Sequence, residues 1–318
     1  MINVLILSAG RRVELIKCFR EAKEKLGEEG KIVAVDISDL APAIYFADKF
    51  KLIPRISDVS YIDEIISVSC EEKIDIIIPT IDTELEKLSE NRKLIEERTG
   101  AKLLLSNEDV ISICCDKNKT QKFFEENGFG VPRQIKNNDI ENDNFEYPLF
   151  IKPENGSSSL NTFKIENEKE LNFFKEYVKN PIIQEHICGT EFSVDVFCDF
   201  DGMPITIVPR KRIATRSGEI AKGQIVKDRE IIDEVKRMMD ILKPVGLITV
   251  QCIKTQKGIK YIEINPRFGG GAPMSIEAGA DACEFLFRLL RGEKLNYSEE
   301  YSDGDIFLRF DQSIKLQK

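Results

Sequence analysis

The first 113 residues alternate short apolar runs with amphipathic stretches of helical length, and this alternation restricts the fold more than any other feature of the chain. The runs that we interpret as strand, helix, strand, helix and strand are residues 2–7, 13–25, 31–35, 61–69 and 74–79. This order predicts a mainly parallel sheet covered by helices, because parallel neighbours need a crossover connection. Ligands bind such sheets at the carboxyl ends of the strands, so the residues that follow each strand are the first functional candidates.

The first two predicted strands end in a pattern that superficially suggests a dinucleotide site. Residues 8–10, Ser-Ala-Gly, follow the first strand, and Asp36 closes the second. The GxGxxG fingerprint is absent, however, since one of its three glycines is present. Arg11 and Arg12 stand where a helix would have to approach a pyrophosphate closely. We therefore do not predict a dinucleotide site at these strand ends.

The third predicted strand end, residues 79–84, carries two carboxylates and two hydroxyls. Thr80 or Asp82 could cap a helix that we predict over residues 84–98, because short polar side chains bind the free N–H groups of a first helical turn. The same groups could instead face a substrate. The sequence leaves both interpretations open.

From Asp116 onward the pattern changes to strands in hairpins with interspersed helices. This α+β pattern differs from that of the first part, so we place a domain boundary near residue 113.

Charge and cysteine content limit the classes of partner and location. With 46 Lys and Arg against 55 Asp and Glu, the formal net charge is -9, which argues against a nucleic-acid partner but not against a nucleotide. No apolar stretch is long enough for a membrane span, and residues 1–12 do not resemble a signal peptide. Eight cysteines without CxxC spacing predict reduced thiols in a cytoplasmic protein, without a zinc site.

A lysine, Lys152, ends a predicted strand over residues 149–152 and precedes a Gly/Ser-rich loop at residues 154–159. A fixed cation beside backbone and hydroxyl donors suits a polyphosphate. The arrangement is not a Walker A loop, in which the lysine follows the glycines. A plain hairpin turn is the simpler explanation of the loop when it is taken alone.

A second candidate site lies on the predicted strand over residues 259–264 and just after it. Glu263, Asn265 and Arg267 alternate with other residues, so a period of two places them on one face. Carboxylate and amide oxygens suit Mg²⁺, and an arginine can stabilise phosphoryl oxygens. The glycines at 269–271 would let the backbone approach a ligand. The alternative is an ordinary solvent-exposed strand face.

Together these residues resemble the ATP-grasp family, and within it the branch of the carbamoyl-phosphate synthase large subunit. The resemblance covers nearly the whole chain. It implies a mixed fold, α/β and α+β, in which a Rossmann-like domain precedes a two-subdomain ATP-grasp fold. The implied boundaries are residues 1–113 for the Rossmann-like domain, 114–185 for the central small subdomain and 186–318 for the C-terminal subdomain. It also allows a homodimer through the first domain.

The resemblance implies an ATP site between the last two units. Lys117 and Lys152 would bind ATP directly, and the Gly/Ser residues would cover its phosphates. Residues 183–191 would form the hinge that receives adenine and ribose. Lys222 would reach the γ-phosphate. The ATP-binding candidates are Lys117, Lys152, Gly156, Ser157, Ser158, Gln184, Glu185, Ile187, Glu191 and Lys222.

The metal ligands implied by the resemblance are Glu263, Asn265 and Gln251, and they would hold Mg²⁺ or, in its place, Mn²⁺. Many such ligases have an acid at the third position, whereas the carbamoyl-phosphate synthase type has glutamine. The chain's one histidine, His186, falls in the hinge. General-base catalysis by histidine is therefore not expected, and catalysis would rest on positioning and electrostatic stabilisation.

A basic run at residues 209–219 holds four cations within seven residues. Such runs usually face solvent. In the family, however, this loop lies near the acyl-phosphate, so the resemblance favours Arg212 or Arg216 as the group that binds a substrate carboxylate through two parallel hydrogen bonds. We count both with Arg267 as catalytic candidates.

The function predicted on this basis is ligation of a small carboxylate to a small amine, both of them amino acids in the first instance, at the expense of ATP. Neither a nucleic acid nor a membrane is an expected partner. Two alternatives remain. The protein could phosphorylate a carboxylate or carbamate without ligation, as one half of a carbamoyl-phosphate synthase does, or it could bind ATP as a regulatory protein without turnover.

Overall fold

A computed structural model describes residues 1–154 and 161–316. The first part of this described chain is a five-stranded parallel sheet in the order β3-β2-β1-β4-β5. Short 3₁₀ turns lie at Pro42–Phe46 and Asp82–Glu84. Its strands and helices are β1 (Val4–Ile6), α1 (Val13–Lys25), β2 (Ile32–Asp36), β3 (Lys49–Leu52), α2 (Tyr61–Glu72), β4 (Ile76–Ile78), α3 (Leu85–Glu90), α4 (Arg92–Thr99), β5 (Lys102–Leu103) and α5 (Glu108–Cys115).

The parallel sheet forms because its central strands are apolar on both faces. Val4 and Ile6 of β1 belong to a core that includes α1, whereas Leu5 belongs to the core on the opposite face with α2. A strand covered by helices on both faces consists of consecutive apolar residues, and for this reason β1 and β4 could be predicted from the sequence. The edge strand β3 is mostly exposed and carries no such signal.

The middle of the chain forms a small three-stranded antiparallel sheet in the order β7-β6-β8. The stretch from residue 137 to 146 contains one short helix, at whose start Asp139 accepts a hydrogen bond from the backbone N–H of Lys136. The elements here are α6 (Lys117–Glu126), α7 (Asn137–Glu141), β6 (Leu149–Pro153), β7 (Phe163–Ile165), α8 (Glu168–Tyr177) and β8 (Pro181–Glu185).

The remaining strands form a six-stranded antiparallel sheet in the order β13-β12-β9-β10-β11-β14 within the described residues. Helix α9 covers one face with six buried apolar side chains at helical spacing. The elements are β9 (Thr190–Cys198), β10 (Pro204–Arg216), β11 (Glu219–Ile225), α9 (Arg229–Leu242), β12 (Gly246–Thr255), β13 (Gly258–Asn265), α10 (Ala272–Glu277), α11 (Ala282–Leu290) and β14 (Ile306–Leu308).

The basic run at residues 209–219 is a β-hairpin and not the loop that we expected. Strand β10 continues to Arg216, and Arg216 pairs with Glu219 on β11. The hairpin extends beyond its neighbours, because pairing with β9 ends at Lys211 and pairing with β14 ends at Lys222. Arg216 near its end is exposed, whereas the side chains of Arg210 and Arg212 are buried.

The last two helices return to the first sheet and join it to the large one. Phe19 of α1 packs against Phe268, with ring centroids 5.6 Å apart, and against Phe287 of α11. One apolar core therefore spans both sheets. In residues 1–154 and 161–316, no helix has the length and apolar character needed to cross a bilayer.

Candidate active site

A cleft of about 710 Å³ lies between the three sheets and collects most of the side chains that the sequence singled out. Among the predicted ligands of ATP and metal, it is lined by Lys117, Lys152, Gln184, Glu185, Ile187, Glu191, Gln251, Glu263 and Asn265. Arg212 and Arg267 line it as well. The predicted phosphate loop, Gly156, Ser157 and Ser158, falls outside the described residues.

The predicted metal ligands lie side by side on two paired strands. Gln251 of β12 is directly opposite Glu263 of β13, and the Asn265 amide donates to Glu263 Oε1 at 2.9 Å. One carboxylate and two amide oxygens fit a hard divalent cation that takes its other ligands from phosphate and water. Among the described residues no three His, Cys, Asp or Glu side chains form a metal cluster, so the protein supplies little negative charge here. Such a donor set suits a cation that binds together with a nucleotide.

Two lysines face this carboxylate from the small sheet and helix α6. Burial lowers the pKa of Lys152 to about 8, although attraction to Glu263 opposes the shift. Burial also lowers the pKa of Lys117, whose Nζ donates to the carbonyl oxygen of Pro153 at 2.8 Å. Among the described residues, no hydrogen bond engages the ammonium group of Lys152, Nζ. Two partly desolvated cations beside one carboxylate form a site for an anion.

The predicted adenine hinge forms the wall of the cleft where β8 leads into β9. The Gln184 amide donates to Gln121 Oε1 at 2.9 Å, and Glu185 Oε1 accepts the backbone N–H of Arg133 at 2.8 Å. These contacts fix two of the four hinge side chains. Ile187 and Glu191 follow along the same wall.

Arg216 and Lys222 do not lie in the cleft with the other predicted residues. Arg216 forms a two-pronged ion pair with Asp311, at 2.8 and 2.5 Å, on the exposed surface. Register shifts interrupt the pairing of β10 between Arg212 and Thr215, and Arg216 beyond them is not among the residues that line the cleft. Lys222 is exposed beside β14. The interpretation that these two residues touch substrate or phosphate is therefore corrected.

Arg212 does line the cleft. Its guanidinium donates to Ser193 Oγ at 3.2 Å and to the carbonyl oxygen of Gly218 at 2.9 Å, while its Nε is buried without a hydrogen-bond partner. Glu191 Oε2 lies 3.3 Å from that nitrogen. Burial lowers the pKa of Arg212.

A buried ion pair supports the glycine run at residues 269–271. Arg210 donates to both carboxylate oxygens of Asp195, at 3.0 and 2.9 Å. Asp195 also accepts hydrogen bonds from the hydroxyls of Thr249, at 2.8 Å, and Ser275, at 2.7 Å. A Cβ atom at Gly271 would lie 2.3 Å from Arg210 Nη1, so the backbone can run over this arginine only with glycine at that position.

Residues 81–83 of the segment 79–84 line the cleft, and neither Thr80 nor Asp82 caps a helix. Asp82 Oδ2 accepts a hydrogen bond from Arg267 Nη2 at 2.6 Å, and the same nitrogen lies 3.2 Å from Asn265 Oδ1. The Thr80 hydroxyl donates to the carbonyl oxygens of Leu7 and Ser8. Helix α3 has no side-chain cap, so the capping interpretation is wrong.

Unpaired buried polar atoms concentrate in the same cleft. Four such side-chain atoms occur in residues 1–154 and 161–316, and three of them belong to cleft residues: Asp82 Oδ1, Arg212 Nε and Arg267 Nε. Arg212 Nε faces the carboxylate of Glu191 at 3.3 Å, so Asp82 Oδ1 and Arg267 Nε are the two that lack any partner in the described residues. Because leaving a buried polar atom unpaired is costly, these two mark where a bound molecule would supply partners.

Two family models match the chain in succession. Residues 4–104 match the PylC-like N-terminal domain, and residues 114–271 match the ATP-grasp domain. The chain belongs to the ATP-grasp superfamily. The family and the fold class predicted from the sequence are thereby confirmed.

Curated relatives of this ATP-grasp chain include ligases. D-alanine–D-alanine ligase B of Clostridium perfringens is 29% identical over 177 residues, which cover 48% of this chain and 58% of that protein. The 3-methyl-D-ornithine–L-lysine ligase of Methanosarcina mazei is 24% identical over 264 residues, which cover 82% of this chain and 66% of that protein. The chain thus spans less than two thirds of the length of either relative.

Solved structures share the fold at low identity. The biotin carboxylase domain of the Hydrogenobacter thermophilus 2-oxoglutarate carboxylase has a TM-score of 0.75 and 18% identity, covering 96% of this chain and 74% of that one. N5-carboxyaminoimidazole synthetase from Staphylococcus aureus has a TM-score of 0.72 and 19% identity, covering 96% and 80%. At such identity these neighbours establish only the fold of this chain and nothing of its function.

Proposed function

We propose that this protein is an ATP-dependent carboxylate–amine ligase that forms an amide through an acyl-phosphate. The observation that carries the proposal is the convergence of Lys117, Lys152, Glu263, Asn265 and Arg267 in one cleft. The names of the D-alanine and 3-methyl-D-ornithine ligases support the class of bond formed.

The reaction consists of two balanced steps. A carboxylate oxygen of the first substrate attacks the γ-phosphorus of ATP, the bond to the β–γ bridging oxygen breaks, and ADP leaves. The nitrogen of the second substrate then attacks the acyl carbon, the carbon–oxygen bond to phosphate breaks, and the nitrogen loses a proton. Neither step needs a redox partner. Most of the rate enhancement would come from positioning and charge stabilisation.

The proposed role of each residue follows from its position. Gln184, Glu185 and Ile187 would contact adenine and Glu191 the ribose, while Gly156, Ser157 and Ser158 would cover the phosphates. Gln251, Glu263 and Asn265 would hold Mg²⁺ or Mn²⁺, which when bound supplies positive charge to the phosphate oxygens. Lys117, Lys152, Arg212 and Arg267 would neutralise the negative charge that develops during transfer. Arg216 and Lys222 have no place in this assignment because they lie outside the cleft.

The proposal extends to substrates, location and assembly. Small carboxylates and amines, amino acids first among them, are the proposed substrates. A cytoplasmic location agrees with eight cysteines that are all free thiols. A homodimer agrees with the dimer described for the H. thermophilus biotin carboxylase domain. The unit boundaries at residues 113 and 185 belong to the same proposal.

The decisive experiment is incubation of the protein with Mg·ATP and pooled L-amino acids and D-alanine. ADP release would be measured together with new masses in the product mixture. We expect Glu263→Gln to lower ADP release about 100-fold, since a metal ligand contributes several kcal/mol to transition-state stabilisation. Glu176→Gln, on the exposed face of α8, is the matched control and should behave as wild type.

The outcomes separate the ligase from its alternatives. An acyl-phosphate trapped by hydroxylamine, with no amide from any amine, would identify the phosphorylating enzyme. ATP binding without ADP release would identify a regulatory protein. Undiminished ADP release by the Glu263→Gln protein would refute the site assignment.

A further inference from the structure

The cleft continues past Arg267 toward the first sheet, and the nucleotide does not account for this end. Its walls carry Arg12, Asp82, Glu86 and Glu219. The sequence drew attention to Arg12 only as an obstacle to a dinucleotide. Of the two arginines predicted to bind a substrate carboxylate, Arg212 lies in the cleft beside Glu191, and Arg216 lies on the exposed surface.

Arg12 is a buried cation that lacks a hydrogen-bonded anion. It lies at the start of α1, its side chain is 16% exposed, and its Nη2 donates to the carbonyl oxygen of Thr80 at 3.0 Å. The carboxylate paired with it, that of Glu219, is 3.9 Å from Nη1, beyond hydrogen-bond distance. Glu219 is instead hydrogen-bonded to Arg309 at 2.9 Å. Arg12 therefore retains capacity for a second anion.

The charges around Arg12 separate it from the nucleotide end. Burial and the nearby Arg267 lower the pKa of Arg12, with Glu219 and Asp82 acting in the opposite direction. Lys117 and Lys152 respond instead to Glu263, the metal-ligand candidate. Arg267 thus lies between two anion sites, one for phosphate and one formed around Arg12.

An acceptor for an N–H group lies beside this second anion site. Asp82 Oδ2 is engaged by Arg267, but Asp82 Oδ1 is buried without a hydrogen-bond partner in the described part of the chain. Arg267 Nε is unpaired as well. A ligand with a carboxylate at Arg12 and an amino group at Asp82 would satisfy Asp82 Oδ1, whereas the N–H of Arg267 Nε needs an acceptor such as an oxygen of the acyl-phosphate.

Building on the proposed ligase reaction, we propose that Arg12 binds the carboxylate of the amine substrate and so selects an amino acid over a simple amine. The substrate's amino group then donates to Asp82 Oδ1 and lies next to Arg267, where the acyl-phosphate forms. Arg12 is a specificity-determining residue in this arrangement. The carboxylate that it holds is distinct from the one that is phosphorylated.

Binding measurements test this assignment without requiring turnover. Protein saturated with MgADP would be titrated calorimetrically with D-alanine, L-alanine and L-lysine, and with the corresponding amides, which lack the carboxylate. We expect at least one acid to bind about 10- to 100-fold more tightly than its amide, as a charge-assisted pair would provide. Arg12→Gln, which can still donate to Thr80, should remove that preference. Arg11→Ala, at the exposed neighbouring position, should retain it.

The outcomes distinguish this inference from the ligase proposal. Equal binding of acids and amides, a preference that survives in Arg12→Gln, or no binding of any of the three acids would overturn the role of Arg12. If ADP release with pooled amino acids persists in that case, the ligase assignment stands and the inference alone fails. Absence of ADP release with every substrate would contradict the ligase proposal itself. Circular dichroism of Arg12→Gln and Arg12→Lys confirms folding, and partial recovery in Arg12→Lys supports a role for the charge.

Discussion

At the scale of single residues, burial sets the charge state of the candidate phosphate ligands. Lys152 lies on β6, where most of its side chain is removed from water, and the loss of hydration lowers its pKa to about 8. A bound polyphosphate would favour the charged amine and raise that pKa again. The lysine is thus a stronger ligand for an anion when it is protonated before binding.

This pKa predicts a pH dependence of ATP binding. Above pH 8 the free protein increasingly carries a neutral Lys152, so the affinity for ATP should fall up to about tenfold per pH unit as the pH rises toward 10. Titration calorimetry in two buffers of different ionisation enthalpy measures both the affinity and the proton taken up on binding. Lys152→Arg stays charged throughout and should weaken this dependence. A constant wild-type affinity between pH 7 and 9.5 would contradict the prediction.

At the scale of elements, the hairpin of β10 and β11 depends on the C-terminal strand β14. Lys222, Gly223 and Gln224 of β11 pair with β14. Beyond that strand, Arg309 donates to Glu219 at 2.9 Å and to the carbonyl oxygen of Ile220 at 3.0 Å. The tip of the hairpin carries part of the cleft wall, so the C-terminal strand holds that wall in place.

Termination of the chain after Asp305 should therefore loosen the hairpin. Without β14, the N–H groups of β11 that it covers become accessible, and we expect about tenfold faster hydrogen exchange in peptides from residues 219–225. Mass spectrometry of exchanged peptides measures this. Termination after Asp311 keeps β14 and both ion pairs of the hairpin, and is the control. Identical exchange in the two truncated proteins would show that β14 does not restrain the hairpin.

At the scale of the whole molecule, the cleft is a boundary between parts that are joined by a shared core. Helices α10 and α11 follow the glycine run and pack on α1, whose Phe19 contacts both Phe268 and Phe287. The small sheet supplies Lys152 from the other side. A nucleotide in the cleft would contact at least two of these parts and stabilise them together.

Binding of MgADP should accordingly raise the melting temperature of the protein. A ligand at 100 times its Kd adds about 2.7 kcal/mol to the free energy of unfolding, which corresponds to roughly 5 °C for a chain of this size. Scanning fluorimetry with and without MgADP measures the shift. Lys152→Met should lose most of it, whereas Lys175→Met, at an exposed position on α8, should not. An unchanged wild-type melting temperature at millimolar MgADP would exclude a nucleotide site of useful affinity.

Family, fold class and the centre of the cleft were predictable because their signals are local in the sequence. The apolar runs specify strands, and the alternation around Glu263 places three functional side chains on one face. Lys152 adjoins its loop directly. In each case neighbours along the chain remain neighbours in the fold, so spacing alone indicates the chemistry.

The sequence by itself thus determined the ATP-grasp architecture and the groups at the proposed nucleotide end of the cleft. Only the tertiary structure decided the composition of the other end of the cleft. There Asp82 contacts Arg267 and Arg12 lies beside these two residues, whereas Arg216 lies on the surface. The pairing of Arg216 with Asp311 and the packing of the last two helices on α1 accompany these placements. Both join segments far apart in the chain, which no local period encodes, because the geometry depends on how whole elements pack.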